Sequence, residues 1–191
     1  MARSSARALW AAKLNGSSLP SATPVPTIGG RKFTGRVLGI DPSLRGTGLS
    51  IVDFSRGEPV RLVYSQTLKI APKYSFHTCL GEISREVGLM ITTHRPDAVA
   101  AEETIYVQNF RTAQILGAAR GAALGIAASH GLSIAEYPPL RIKQAVCGFG
   151  RASKEQVQGQ VKALLRLTDL LPSDEADATA AAICYAFTVE G

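Results

Sequence analysis

The order of apolar patterns along the chain predicts an α/β fold. It is built on a five-stranded mixed sheet, three strands antiparallel and two parallel, flanked by helices. Three observations predict it. Segments 36–41, 47–54 and 60–68 are of strand type and are joined only by short turns. From about residue 75 the apolar spacing changes from two to three and four. Two later strand segments then alternate with helical ones, the order that makes parallel pairs through crossover helices.

"RVLGID" (36–41) is a short apolar run, and "DPSLRG" turns the chain after it. "TGLSIVDF" (47–54) and "VRLVYSQTL" (60–68) alternate, with "RGEP" between them, so the three strands form an antiparallel meander. Phe76, Leu80, Ile83, Val87 and Met90 line one face of a helix over about 75–93, which Pro96 stops. "DAVAAE" (97–102) is a buried strand. A helix over about 111–129 follows, ended by Gly131, and "LSIAEY" (132–137) is the fifth strand. The helix over 111–129 is rich in small residues and suits either a dimer surface or the central core helix. A short helix fits about 140–147. Ser153 and Gln156 form a capping box that opens a helix to about 167, and the last helix runs over about 174–188.

A chain of 191 residues suggests one domain, and 46% hydrophobic with 19% charged residues excludes a disordered or collagen-like protein. No apolar stretch is long enough for a membrane span, because Arg120, His130 and Asp177 interrupt the alanine-rich segments. Cys79, Cys147 and Cys184 are far apart and read as small buried residues in a reducing compartment. His77, His94 and His130 have no zinc spacing.

The formal charge of +6 is uneven. Residues 1–34 hold five of the 21 basic residues and none of the 15 acidic ones, so the rest of the chain is nearly neutral. This Ala-, Ser-, Pro- and Gly-rich stretch reads as a flexible basic N-terminal extension, with the folded domain over 35–191. It also resembles an organellar transit peptide, and an upstream start codon or a basic arm explains it equally well.

Four acids sit in apolar settings. Asp41 and Glu102 end apolar strands, and Asp174 and Asp177 share one face in the first turn of an otherwise apolar helix. Each has an ordinary alternative. Asp41 before Pro42 forms turns, Glu102 with Glu103 suits a strand exit, and Asp174 with Glu175 complements a helix dipole. Brought together, the four would repel one another and need divalent cations. Oxygen ligands alone select hard ions, Mg²⁺ or Mn²⁺, and two such ions clamp the attacking and leaving oxygens of a phosphodiester. Arg141, Lys143, Arg151, Lys154, Lys162 and Arg166, against Glu155 alone, make a basic segment that suits backbone phosphates or, equally, a solvated helix face.

Four motifs in order resemble those of the RuvC-type Holliday junction resolvases. They are "LGIDPSLRGTGLSIV", "AAEETIYVQNFRTAQILGAARG", "PPLRIKQAVCGFGRASKEQVQ" and "DEADATAAAI". They span about Arg36 to Ala186, with 61 residues from Asp41 to Glu102 and 72 from there to Asp174. The resemblance implies a ribonuclease-H-like fold and a metal-dependent crossover junction endonuclease of DNA recombination and repair. It also implies a bacterial cytoplasmic homodimer with no membrane partner, acting on four-way junction DNA, with a branch-migration helicase complex as a further partner. Asp41, Glu102, Asp174 and Asp177 fall on its metal-binding acids, which imply two ions per active site, Mg²⁺ with Mn²⁺ as the alternative. Lys143 falls on an active-site lysine. Tyr106, Arg111, Lys143 and Lys154 are the residues expected on DNA.

Four departures stand out. Ser43 replaces a usual Gly, Glu103 replaces a common Gln, and the chain ends without the basic tail of some members. Ile105 stands where many members carry a junction-wedging aromatic, leaving Tyr106 or Phe110 for that role. A different ribonuclease-H-like nuclease and a non-catalytic junction-binding protein remain as alternatives. An ATPase of the actin and sugar-kinase type shares the opening hairpin but needs a second such domain.

Overall fold

The computed structural model describes residues 32–103 and 109–189. Strands β1 (Gly35–Asp41), β2 (Gly46–Phe54) and β3 (Arg61–Lys69) form the expected meander. Strand β4 (Ala98–Glu102) pairs parallel with β1, and β5 (Ser133–Tyr137) pairs parallel with β4. The sheet order is therefore β3-β2-β1-β4-β5. The turn after Asp41 closes without a glycine. The Thr47 hydroxyl, 1% exposed, donates to the Ser43 carbonyl at 2.5 Å, and Ser43 keeps a negative φ. The Ser43 departure is thus absorbed by Thr47.

Helices α1 (Phe76–His94) and α2 (Phe110–Ser129) are the crossovers and cover one face of the sheet. Ser75 caps α1 by accepting from the Thr78 N–H, and Asn109 caps α2 by accepting from the Thr112 N–H. The buried stripe of α1 is Cys79, Ile83, Val87, Met90 and Ile91. Phe76 and Leu80, expected on that face, are only partly covered, because Phe76 lies in the first turn and lines a surface groove instead. Helix α2 buries only Ala119, Ala123 and Ala127, one side chain per turn against α1.

Helices α3 (Pro139–Cys147), α4 (Lys154–Leu165) and α5 (Ser173–Thr188) cover the other face. The capping box of Ser153 and Gln156 starts α4, as its sequence predicts. Helix α5 is the central core helix, a role the sequence left open for α2. Ala176 and every residue from Ala178 to Ala186 are buried, which accounts for its all-round apolar composition. No described helix is long and apolar enough to cross a membrane. Cys79, Cys147 and Cys184 are free thiols.

Candidate active site

The alternation of side chains along each strand decides where the acids point. In β1, Leu38 and Ile40 pack toward α1 and α2, so Val37, Gly39 and Asp41 face α5. In β4, Val99 and Ala101 take the first side and Ala98, Ala100 and Glu102 the second. Ile40 is level with Ala101 in the parallel pair, so Asp41 and Glu102 end neighbouring strands, on one face and at one edge.

Helix α5 brings the other two acids over that edge, and two glycines let it come close. A Cβ on Gly39 would lie 1.9 Å from the Ala178 carbonyl oxygen, and one on Gly48 would lie 2.0 Å from that of Asp174. No side chain larger than hydrogen fits beneath α5 at either position. Gly48 is directly opposite Asp41 in the β1–β2 ladder, so the Asp174 backbone rests beside Asp41. The Asp174 carboxylate comes within 3.4 Å of where a Gly46 Cβ would stand.

Asp41 and Glu102 lie within the field of the neighbouring acids. Burial first, and then the charges of Glu102, Asp177 and Asp174, together push the Asp41 carboxyl up to about 7, with Lys154 opposing. Burial and then Asp177 raise Glu102, against Lys154 and Lys143. The Asp177 charge, and its hydrogen bond, raise Lys154.

The Lys154 ammonium donates to Asp177 Oδ2 at 3.2 Å. Lys143, on α3, lies within the field of Glu102 without bonding to it. Among the described residues, no three His, Cys, Asp or Glu side chains are already arranged to hold a metal ion. The carboxylates are neighbours that feel one another's charge, and one of them is turned to a lysine.

Arg111 opens α2 and lines a groove of about 660 Å³ with Leu44, Arg45, Phe76, Gln114 and Ile115. Phe110 beside it is 76% exposed. Tyr106 and Ile105 lie outside the described residues. Sequence reasoning missed Gly39 and Gly48, whose signal was available, since a glycine inside a strand often marks a close approach of another backbone. It also missed that Glu175, between two site acids, turns to β3, where Ser65 Oγ donates to it at 2.6 Å.

A meander continued by two parallel strands, with acids at the ends of the two central neighbours and on a helix laid over them, defines a ribonuclease-H-like nuclease. Residues 37–185 match the family described as crossover junction endodeoxyribonuclease RuvC, and the chain belongs to that family. The enzyme of that name from Halorhodospira halophila is 48% identical over 151 residues, covering 79% of this chain and 89% of the relative. The one from Burkholderia thailandensis is 45% identical over 151 residues, covering 79% and 83%. Thermus thermophilus RuvC superposes with a TM-score of 0.72 at 34% identity, covering 80% of this chain and 93% of its own. The same protein in complex with a Holliday junction substrate gives 0.72 at 32% identity, with the same coverage. The yeast mitochondrial Holliday junction resolvase Ydc2, at 13% identity and a TM-score of 0.59 over 83% and 80%, shares the fold.

Proposed function

We propose that this chain resolves Holliday junctions by hydrolysing phosphodiester bonds in two opposed DNA strands, one active site in each subunit of a homodimer. The observation that carries the reading is the seating of α5 on Gly39 and Gly48. It gathers Asp174 and Asp177 to the strand ends that carry Asp41 and Glu102. Junction binding by the Thermus relative supports the choice of substrate.

The residues fit divalent metal ions. The donors are all carboxylate oxygens, as hard ions prefer. Lys154 is the one cation hydrogen-bonded to the four acids among the described residues, so negative charge is in excess. Asp41, Glu102, Asp174 and Asp177 would hold two ions per site, Mg²⁺ or alternatively Mn²⁺. Ions held there would supply a water of lowered pKa as nucleophile and charge stabilisation at the leaving 3′-oxygen.

The chain's own residues do the rest. Asp41, at the end of β1 beside the Asp174 backbone, anchors the floor of the cluster. Lys143 offsets phosphate charge near Glu102. Arg141, Arg151, Lys154 and Arg166 are exposed on α3, α4 and their flanks, and meet backbone phosphates. Arg111 and Tyr106 contact the DNA near the junction centre. The nuclease domain comprises residues 35–191 with Lys32 and Phe33 docked on it, as both their backbone N–H groups donate to the Ala186 carbonyl and the Phe33 ring packs on Tyr185. The basic extension precedes them. The setting is the bacterial cytoplasm, with a branch-migration helicase complex delivering the junction.

The test is a synthetic four-way junction, a linear duplex and an RNA–DNA hybrid, each with Mg²⁺ and with chelator. Paired nicks in the junction alone, and only with Mg²⁺, are expected. Equal cutting of the hybrid, or tight junction binding without cutting in any metal, refutes the reading.

A further inference from the structure

Where α5 passes over Gly39 and Gly48, its sheet-facing side is built of very small residues, and Ile183 and Tyr185 come only beyond them. Ala178 and Ala182 lie against Gly39, and the Asp174 backbone lies against Gly48. Such a surface permits close approach but offers few ridges and grooves to key a helix in place. Its rotation and its position along the axis need another determinant. One residue of slip turns a helix by roughly 100°, enough to swing Asp174 and Asp177 off Asp41.

Two polar ties cross this smooth contact. The Glu175 carboxylate accepts from Ser65 Oγ at 2.6 Å and from Thr67 Oγ1 at 3.5 Å. The Thr179 hydroxyl, wholly buried, lies 2.7 Å from Ser50 Oγ and 2.7 Å from the Glu175 carbonyl oxygen. Ser50 is level with Ser65, and Gly48 with Thr67, so all these groups form one patch beside the glycine seat. Glu175 and Thr179 are one turn apart on α5, and together they fix both its rotation and its height.

We propose that Glu175 is a positioning residue. By holding Ser65 and Thr67 it sets the register of α5 on the sheet and aims Asp174 and Asp177 at Asp41. The proposal rests on those acids being the cation-holding set. What matters is the acceptor oxygen of Glu175 more than its charge, because both partners are neutral hydroxyls.

The experiment compares Glu175→Ala, Glu175→Gln, Ser65→Ala and the double variant E175A/S65A. One readout is the Mg²⁺ concentration giving half-maximal junction cleavage. The other needs neither DNA nor activity: the rise in melting temperature when Mg²⁺ is added to the protein alone. Glu175→Ala is expected to need about tenfold more Mg²⁺, the usual effect of losing a residue that orients metal ligands, and to lose most of the temperature rise. Glu175→Gln, which keeps an acceptor, restores both. The double variant is no worse than Glu175→Ala, since the two residues form one interaction. A Glu175→Ala protein with the wild-type Mg²⁺ curve and temperature rise overturns the proposal, and so does a Gln variant as impaired as the Ala one. If Glu175→Ala does not fold, Ser65→Ala decides, and an unchanged curve there is equally fatal. A wild-type protein that neither cuts junctions nor gains stability from Mg²⁺ sinks the wider reading of the acids instead.

Discussion

Replacing Gly39 by alanine tests how much of the site depends on the close seating of α5. The added methyl would stand 1.9 Å from the Ala178 carbonyl oxygen, where Cβ contacts below 3.0 Å essentially do not occur. The obstacle is helix backbone, which cannot rotate away, so α5 must retreat by about 1 Å, as judged against ordinary contact distances. Asp174 and Asp177 move with it while Asp41 and Glu102 stay on the sheet. A misplacement of about 1 Å in a reacting constellation costs on the order of 100-fold in rate, and overpacking costs about 1–3 kcal/mol of stability.

The assay is single-turnover cleavage of a four-way junction in Mg²⁺, with binding measured in chelator and unfolding followed by circular dichroism. Cleavage should fall on the order of 100-fold, while binding holds, because the basic residues of α3 and α4 are untouched. Gly48→Ala, with its Cβ 2.0 Å from the Asp174 carbonyl oxygen, should behave alike. Gly81→Ala is the control: nothing lies within 4 Å of its added methyl, and it sits in α1. It should leave cleavage alone and add roughly 0.5–1 kcal/mol of stability. A folded Gly39→Ala protein that cuts within threefold of wild type would refute the argument that close seating builds the site.

Three further outcomes follow from the same geometry. Asp177→Asn keeps junction binding and loses Mg²⁺-dependent cleavage, and wild-type turnover in that variant would remove Asp177 from the chemistry. Asp41 has a raised carboxyl, near 7 against 3.8, so the native state holds its proton more tightly than the unfolded chain does. Its contribution is favourable below about pH 4 and is lost as pH rises through 7; Asp41→Asn should therefore be more stable in chelator at pH 8, by up to roughly 4 kcal/mol, with the gap closing in acid. An Asn variant no more stable at pH 8 would contradict the buried setting of Asp41. Arg151→Ala, an exposed cation at the start of α4's approach, should weaken junction binding at all sequences and lower the salt slope by about one. An unchanged slope would place that arginine off the DNA.

The sheet was legible in the sequence because each strand carries its own evidence. Alternation in 47–54 and 60–68 and the turn residues between them specify the meander, and the crossover helices specify the parallel strands. The acids were legible for a similar reason, since Asp41 and Glu102 end apolar runs and Asp177 interrupts one. What stayed hidden depends on partners distant in sequence. That Lys154 and not Lys143 reaches Asp177 is decided by the packing of α4 on α5, across 23 residues of chain. That Glu175 turns to Ser65 while its neighbour Asp174 lies by Gly46 is decided by the register of α5, across 110 residues. Phe76 fits the helical period of α1 but lines a surface groove with Leu44 and Arg45, a neighbourhood that periodicity does not contain.

The position of the acids explains why this site is made from such plain material. Carboxylates gathered at one end of a sheet oppose folding, since burial and neighbouring charges disfavour the charged forms of Asp41 and Glu102. An ordinary helix–sheet contact, with its axes held about 10 Å apart by large side chains, would spread the acids and relieve the repulsion. Glycine and alanine at the contact do the reverse: they draw α5 in until the Asp174 backbone lies over Gly48. Large side chains enter this contact only farther along it, with Val37, Val52 and Phe54 on the sheet and Ile183 and Tyr185 on α5. Leu38, Ile40, Leu49 and Ile51 stabilise the opposite face against α1 and α2, and Ile142, Val146, Val157 and Val161 lie to the side of α5. Enlarging the small residues under α5 should thus separate the two properties. Stability can be tuned from the outer clusters with cleavage unchanged, whereas any gain of volume at Gly39 or Gly48 acts on the distance between the acids themselves.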